Sequence, residues 1–328
     1  MNGPSGAPPD AGLAELELDL LLEALYQRFG LDYRGHERGP LRARLAALVG
    51  RHALPNLSRL QERVLYAPGA AQEVVRALAV PPARLFDRPA WARRQRGALA
   101  DSLGPTALPR VWLPEAAGVG EAWTLAILLA EERLHGRTEV FATLSSDELL
   151  LEAREATLPA AQLEQAQRGY EASGGAGRLA DYFEISDGRA RLLPRLRERI
   201  TWLQYCLVTD RSFNEFHAIV CCRALPDFGP LLRQRVLRLF RDSLALFGVL
   251  VIDRELSPGD AAAGDYRLVP AHAPEHTPKH APEHARGYTG GHAAADATAH
   301  ASLDAPLDAP LDAPLDAPGH GAWYKRVR

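Results

Sequence analysis

Hydrophobic and polar positions along the first hundred residues repeat with a helical period. In "LAELELDLLLEALYQRF" the residues Leu18, Leu21, Leu22, Leu25 and Phe29 fall on one stripe, and Gly30 follows as a stop. Pro40 suits the first turn of a second helix carrying Leu41, Leu45, Leu48 and Val49. Ser58 and Gln61 have the spacing of a capping box ahead of "RLQERVLY". The pattern predicts a small helical domain over residues 13–105, preceded by a Gly/Pro-rich stretch, 1–12, that reads as disordered.

From about residue 106 the pattern alternates. Short apolar runs at 110–113, 139–143, 200–207, 218–222 and 249–252 read as buried strands. Helices are expected between them at about 121–132, 147–156 (with Ser145 and Glu148 as a capping box) and 231–246. Buried strands alternating with helices imply an α/β domain over 106–328 with a mostly parallel, doubly wound, Rossmann-like sheet. Ligands of such sheets bind beyond the carboxyl ends of the strands, here just after Leu113, Thr143, Cys206 and Cys222.

Residues 271–321 break the alternation with near-repeats of "APEH" and then "LDAPLDAPLDAPLDAP" at 303–318. Proline at every fourth position forbids both a helix interior and a sheet ladder. His272, His276, His280 and His284 recur every four residues and invite a metal reading, but the prolines deny them a helical face. A solvated linker is the expectation there, and no metal site. Order is expected to return at "AWYKRVR".

Composition changes this picture little. A chain of 328 residues can hold two domains and a sizeable core. With 47% hydrophobic residues and a net charge of −3 it reads as an ordinary globular protein without nucleic-acid bias. Lys279 and Lys325 are the only lysines, so the positive charge is almost all arginine. Three cysteines, two of them adjacent, do not make a disulfide framework and suggest a reducing cytoplasm. The beginning of the chain lacks a basic region followed by an apolar one, and the apolar runs fall short of a membrane span. A cytoplasmic monomer is the expectation.

The stretch with most chemical interest is "RVWLPEAAGVGEAWTLAILLAEE", residues 110–132. A strand, a small glycine-bearing turn and a long helix form the layout that aims a helix N-terminus at a nucleotide. Yet Pro114 and Glu115 stand where a backbone must come close to a cofactor. Elsewhere, Cys221 and Cys222 should point to opposite sheet faces with no second pair for zinc, and His217 at a strand entrance lacks an evident base partner. Arg34, Arg38, Arg42, Arg44 and Arg51 make the early helices basic, either as a solvated face or as a docking face for an acidic partner.

The segments "LLEALYQRFGLDYRG", "LFDRPAWARRQR", "AWTLAILLAEE", "LVTDRSFNEFHAIVCCR" and "QRVLRLFRDSLALFG" resemble the chemotaxis receptor methyltransferase (CheR-type) family in order and spacing. The resemblance implies a helical domain followed by a class I methyltransferase sheet. It also implies transfer of a methyl group from S-adenosylmethionine (SAM) to glutamate side chains, and a chemoreceptor or related signalling protein as partner. The last two strands would be the hairpin "DYRLVP" and "AWYKRV", with the repeats as an oversized loop.

The departures from the family are specific. Against its R-V-W-S-A-G-C-S-T-G-E-E loop, the two glycines become Glu115 and Val119, the first glutamate becomes Gly120, and Glu121 is retained. Leu144 replaces the aspartate that accepts the ribose hydroxyls, and Cys206 replaces the asparagine beside the retained Leu207 near the adenine. The reacting-end threonine and arginine become Ala83 and Asp87, and the C-R-N triplet becomes Cys221, Cys222 and Arg223. A negative charge at Asp87 would repel an incoming glutamate. Four or five lost contacts at about 1–3 kcal/mol each total on the order of 5–10 kcal/mol, comparable with micromolar binding.

Some expected residues stand one position away. Arg88 follows Asp87, Gly118 and Gly120 flank Val119, and a slip in a loop could restore them; Arg223 is harder to restore if it lies on a strand. The favoured reading is a degenerate, non-catalytic member acting through protein contacts. The alternative is an active protein-glutamate methyltransferase with a shifted site, using Arg88, Gly118, Gly120, Glu121 and Leu207.

Overall fold

The computed structural model describes residues 11–212, 214–269 and 321–328. The expectations for residues 1–10 and for the repeats up to residue 320 lie outside the described residues. Four helices come first: α1 (Ala11–Phe29), α2 (Arg38–Arg51), α3 (Leu57–Tyr66) and α4 (Ala70–Leu78). Their core is the stripe read from the sequence, with Leu18, Leu21, Leu22 and Leu25 buried against Leu41, Leu45, Leu48, Leu60 and Val74. The stripe stops one turn short, since Phe29 is half-exposed, and Gly30 at φ +72° ends the helix. The cap of α3 is Asn56, which accepts from the Arg59 amide at 3.2 Å. Ser58 lies inside the helix and donates to Glu17 at 2.6 Å, so the expected Ser58/Gln61 box is not formed.

Helix α5 (Pro89–Leu103) begins with proline in its first turn, where the missing N–H costs nothing. Its buried residues Ala92, Leu99 and Leu103 join the core of the sheet rather than that of α1–α4. By packing, the helical unit therefore closes at Leu78, not near residue 105.

The remaining elements are β1 (Arg110–Leu113), α6 (Gly118–Glu131), β2 (Glu139–Leu144), α7 (Asp147–Glu155), β3 (Leu158–Pro159), α8 (Ala161–Ala172), β4 (Phe183–Ser186), β5 (Arg189–Leu192), α9 (Pro194–Arg197), β6 (Ile200–Gln204), β7 (Phe216–Cys221), α10 (Pro230–Ser243), β8 (Leu244–Ile252), β9 (Tyr266–Leu268) and β10 (Ala322–Arg326). Seven strands form one sheet in the order β6-β2-β1-β7-β8-β10-β9. The first five are parallel, and β10 runs antiparallel between β8 and β9 as the expected hairpin. Strand order reverses between β1 and β7, which makes their carboxyl ends the switch point.

A second sheet, β3-β5-β4, escaped the sequence reading. Its signal was present: Asp187-Gly188 between "FEIS" and "RARL" takes φ +52° and +71°, the turn that suits a two-residue hairpin. Cys221 and Cys222 do fall in different cores on the two sides of the main sheet. His217 accepts from the Arg110 amide at 3.1 Å. The expected Ser145/Glu148 box is also absent. Ser146 caps α7 without a side-chain bond, Glu148 pairs with Arg76 of α4 at 2.8 Å, and Ser145 is engaged by Glu115.

The helical unit sits against the chain just beyond β7. Glu37 donates its amide to the Asp227 carbonyl (2.8 Å), Gly229 donates to the Gly35 carbonyl (2.9 Å), and Arg44 pairs with Asp227 at 2.7 Å. Arg34, Arg38 and Arg42 also pair with carboxylates of their own unit, on Glu23, Asp32, Asp19 and Glu15. That intramolecular pairing favours the solvated-face reading of these arginines over a docking face.

Candidate functional site

The loop after β1 is knitted to itself and to its neighbours. Ala116 donates to the Thr143 carbonyl (3.0 Å), Gly118 to the Ala116 carbonyl (2.7 Å), and Ala117 to Glu121 Oε2 (2.8 Å). Glu121 therefore turns back onto the start of its own helix, although it also borders the cleft. Burial pushes its carboxyl upward, against the Ala117 amide and the nearby Arg223. Glu115 sits at φ +46°, a left-handed conformation that costs a non-glycine residue roughly 1 kcal/mol. Its carboxyl reaches Ser145 at the end of β2, and burial raises it to about 7 against that hydrogen bond. Tyr33, from the loop after α1, lies close enough for Glu115 to add to the upward push that burial gives its phenol.

Gly118 and Gly120 each lie against a neighbouring segment of the chain. A Cβ on Gly118, which has φ +66°, would press on Pro82, and one on Gly120 would fall well inside contact distance of the Ala83 carbonyl oxygen. The Ala83 amide in turn donates to the Ala117 carbonyl at 2.8 Å. The glycines thus admit the segment Pro82–Arg84, which crosses the N-terminus of α6.

Past that segment the backbone turns at Phe86, with φ +50°, its amide held by Thr124 Oγ1 at 3.2 Å. The turn delivers Asp87 and Arg88 to a cleft also bordered by Trp91, Glu121, Cys222 and Arg223. Asp87 does not present an unopposed negative charge, because Arg223 donates to both its oxygens at 2.7 Å. Arg223 can do so because β7 ends at Cys221, which leaves Arg223 in the following loop rather than on a strand face. Arg88 donates to the Cys222 carbonyl at 3.2 Å. The cleft thus keeps three arginines, Arg84, Arg88 and Arg223, and the repulsion expected from Asp87 is offset. Trp91 escaped the sequence reading; it packs on Trp323 with ring centres 5.7 Å apart. Its signal was "RPAW", in which the helix-starting Pro89 places the indole in the first turn.

Leu144 is buried in the core on the α6 side of the sheet, with Val119 packed against that core. Leu207, expected near an adenine, is buried in the opposite core with Trp112 and Phe216. The Cys206 amide is taken by Asp210 at 2.9 Å.

Residues 16–79 match the family described as the all-alpha domain of CheR methyltransferase, and residues 105–255 match its SAM-binding domain. The chain belongs to the CheR methyltransferase family. A putative methyltransferase of Pseudomonas putida, Cher3, is 28% identical over 251 residues, which span 76% of this chain and 92% of that protein. Among solved structures, the glycopeptide N-methyltransferase MtfA overlays with a TM-score of 0.32 at 19% identity, covering 58% of this chain and 63% of that one. The N-methyltransferase NodS from Bradyrhizobium japonicum WM9 gives 0.28 at 14%, covering 52% and 62%. The chain spans about half the length of MtfA in its SAM complex, 50%.

SAM is the cofactor of the CheR domain, and the residues of this chain fit it poorly. The cleft beside Arg88 has a cavity volume of about 30 Å³, room for roughly two water molecules. Where the family resemblance puts the adenosine half, Glu115 and Val119 each carry a Cβ and Leu144 offers no acceptor for a ribose hydroxyl. The amides of Ala116, Ala117 and Gly118 already have partners within the protein. Among the described residues no group of three or more His, Cys, Asp or Glu could hold a metal ion. No described helix is long and apolar enough to cross a membrane.

Proposed function

We propose that this CheR-family chain has given up methyl transfer and acts through contact with other proteins, a chemoreceptor or related signalling protein being the partner class the family implies. One observation carries the reading: Glu115 stands in a left-handed turn and directs its carboxyl across to Ser145, filling the gap between the ends of β1 and β2. By the family resemblance, that gap would take the ribose end of the cofactor, next to the switch point between β1 and β7. Burying an ionisable side chain in it substitutes an internal contact for a ligand contact.

The second reading is an active protein-glutamate methyltransferase with a shifted site. Arg88 and Arg223 favour it, because both border the cleft and could receive an anionic side chain.

Calorimetric titration with SAM and its demethylated product separates the two. The expected outcome is no saturation at cofactor concentrations up to about 100 μM. A dissociation constant at or below roughly 10 μM, about 7 kcal/mol, would overturn the non-catalytic reading and favour the second.

A further inference from the structure

A larger cleft lies at the β6 edge of the main sheet and shares no residue with the one beside Arg88. Its walls are Trp123 of α6, Ala153 and Arg154 of α7, Arg197 and Glu198 around the end of α9, and Ile200 and Trp202 of β6. Its cavity volume is about 280 Å³, several times that of the cleft at the switch point.

We propose that this cleft binds a small organic anion carrying an aromatic ring. The apolar part of the wall is two indoles and two aliphatic side chains, and the indoles are themselves firmly set. Trp123 and Trp202 are almost wholly buried, and Trp123 packs against Phe183 of β4 with ring centres 5.7 Å apart. The polar part is cationic. Arg154 donates Nη2 to the Trp202 carbonyl (2.9 Å), and Arg197 donates Nε to the Leu192 carbonyl (2.9 Å).

Each arginine is thus anchored through one nitrogen, and its other nitrogens have no bond within the described residues. Two guanidinium forks held in this way are pre-organised for a carboxylate or phosphate, which they can grip through paired hydrogen bonds. Arg191 braces the arrangement by donating to the Arg154 carbonyl at 3.3 Å. The segment 189–199 carries Arg189, Arg191, Arg195, Arg197 and Arg199 against the single acid Glu198, a local field that attracts anions. A purely apolar ligand would leave both forks unused, and the indole edges that reach the cleft give an aromatic ring a place beside them.

Adenosine 5′-monophosphate and benzoate serve as probes in titrations of the full chain, read by calorimetry and by tryptophan fluorescence. At least one should bind with a dissociation constant of roughly 1 mM or tighter, as suits ligands of this size. The double variant Arg154→Gln/Arg197→Gln should weaken it at least about tenfold. Because that variant could misfold, a second measurement uses the unaltered protein: adenosine lacking the phosphate should bind at least about tenfold more weakly than the monophosphate, and sulfate should compete. The proposal is overturned if neither probe binds at that level, or if adenosine binds as well as its monophosphate. It is equally overturned if the folded double variant binds as the parent does. Competition by the demethylated SAM product would place any binding at the switch-point cleft instead, so failure here is separable from failure of the non-catalytic reading.

Discussion

Replacing Glu115 by glutamine removes a charge while leaving the left-handed backbone strain at φ +46° in place, so the two proteins differ chiefly in ionisation. The folded carboxyl is raised from 4.5 to about 7. The folded state therefore prefers the protonated form. Relative to the glutamine variant, the parent keeps its full stability below pH 4.5 and loses it progressively as pH rises through 7. Each tenfold change in acid strength is worth about 1.4 kcal/mol, so the ceiling is on the order of 3 kcal/mol. Solvent reaches part of this half-buried side chain, and screening brings the expected loss to about 2 kcal/mol by pH 8 and about 0.5 kcal/mol at pH 5. Urea unfolding of both proteins at the two pH values measures it, provided the slopes agree. The variant should gain about 1.5 kcal/mol on the parent between pH 5 and pH 8. A gap that stays constant with pH, or narrows toward alkali, would place the Glu115 carboxyl in solvent and remove the basis for calling the β1–β2 gap filled.

Three further outcomes follow from packing. Gly120→Ala drives a Cβ into the Ala83 carbonyl oxygen and should cost about 1–3 kcal/mol in thermal or urea unfolding, whereas Gly97→Ala in α5, with nothing within 4 Å, should be neutral or stabilise by up to about 1 kcal/mol. Arg96 is fully buried against Glu131 at 2.5 Å, and Tyr170 also donates to Glu131 at 2.5 Å; Arg96→Met strands that carboxylate and should cost about 3–5 kcal/mol, with partial recovery in Arg96→Met/Glu131→Gln. Deleting residues 322–328 removes a strand hydrogen-bonded on both sides and the buried Trp323, so a soluble, cooperatively melting product would contradict the sheet order.

The fold was legible because its signals are local and repeated. The α1 stripe and the short apolar runs follow from the period of side-chain direction, and the strands fall where those runs fall; the antiparallel return of "AWYKRV" was implied by the family resemblance instead. What was lost was also local but read at the wrong position. Ser58 and Ser145 match the capping pattern, yet neighbouring Asn56 and Ser146 occupy the caps, since a capping box needs only four residues of coincidence. The β4–β5 hairpin was passed over because "FEIS" and "RARL" carry few apolar residues. Its edge strand is exposed, and only the Asp-Gly turn marks it.

The site was legible only as far as single positions carry meaning. Glu115 and Leu144 could be singled out by position alone, because a Cβ or a methyl-tipped side chain acts wherever its backbone lies. The same method misjudged charge. Asp87 looks like a reversal until Arg223, 136 residues away in sequence, is seen gripping both its oxygens, and Arg223 is reachable only because β7 stops two residues earlier. Likewise Gly120 looks like a displaced cofactor glycine, but the backbone it accommodates is the Pro82–Arg84 segment. Restoring the family glutamate at Gly120 would therefore push that segment off the start of α6 before any cofactor could profit. The loop after β1 is packed on its own protein neighbours. Its residues depend on one another through space, so a change at one is felt by the segment packed against it.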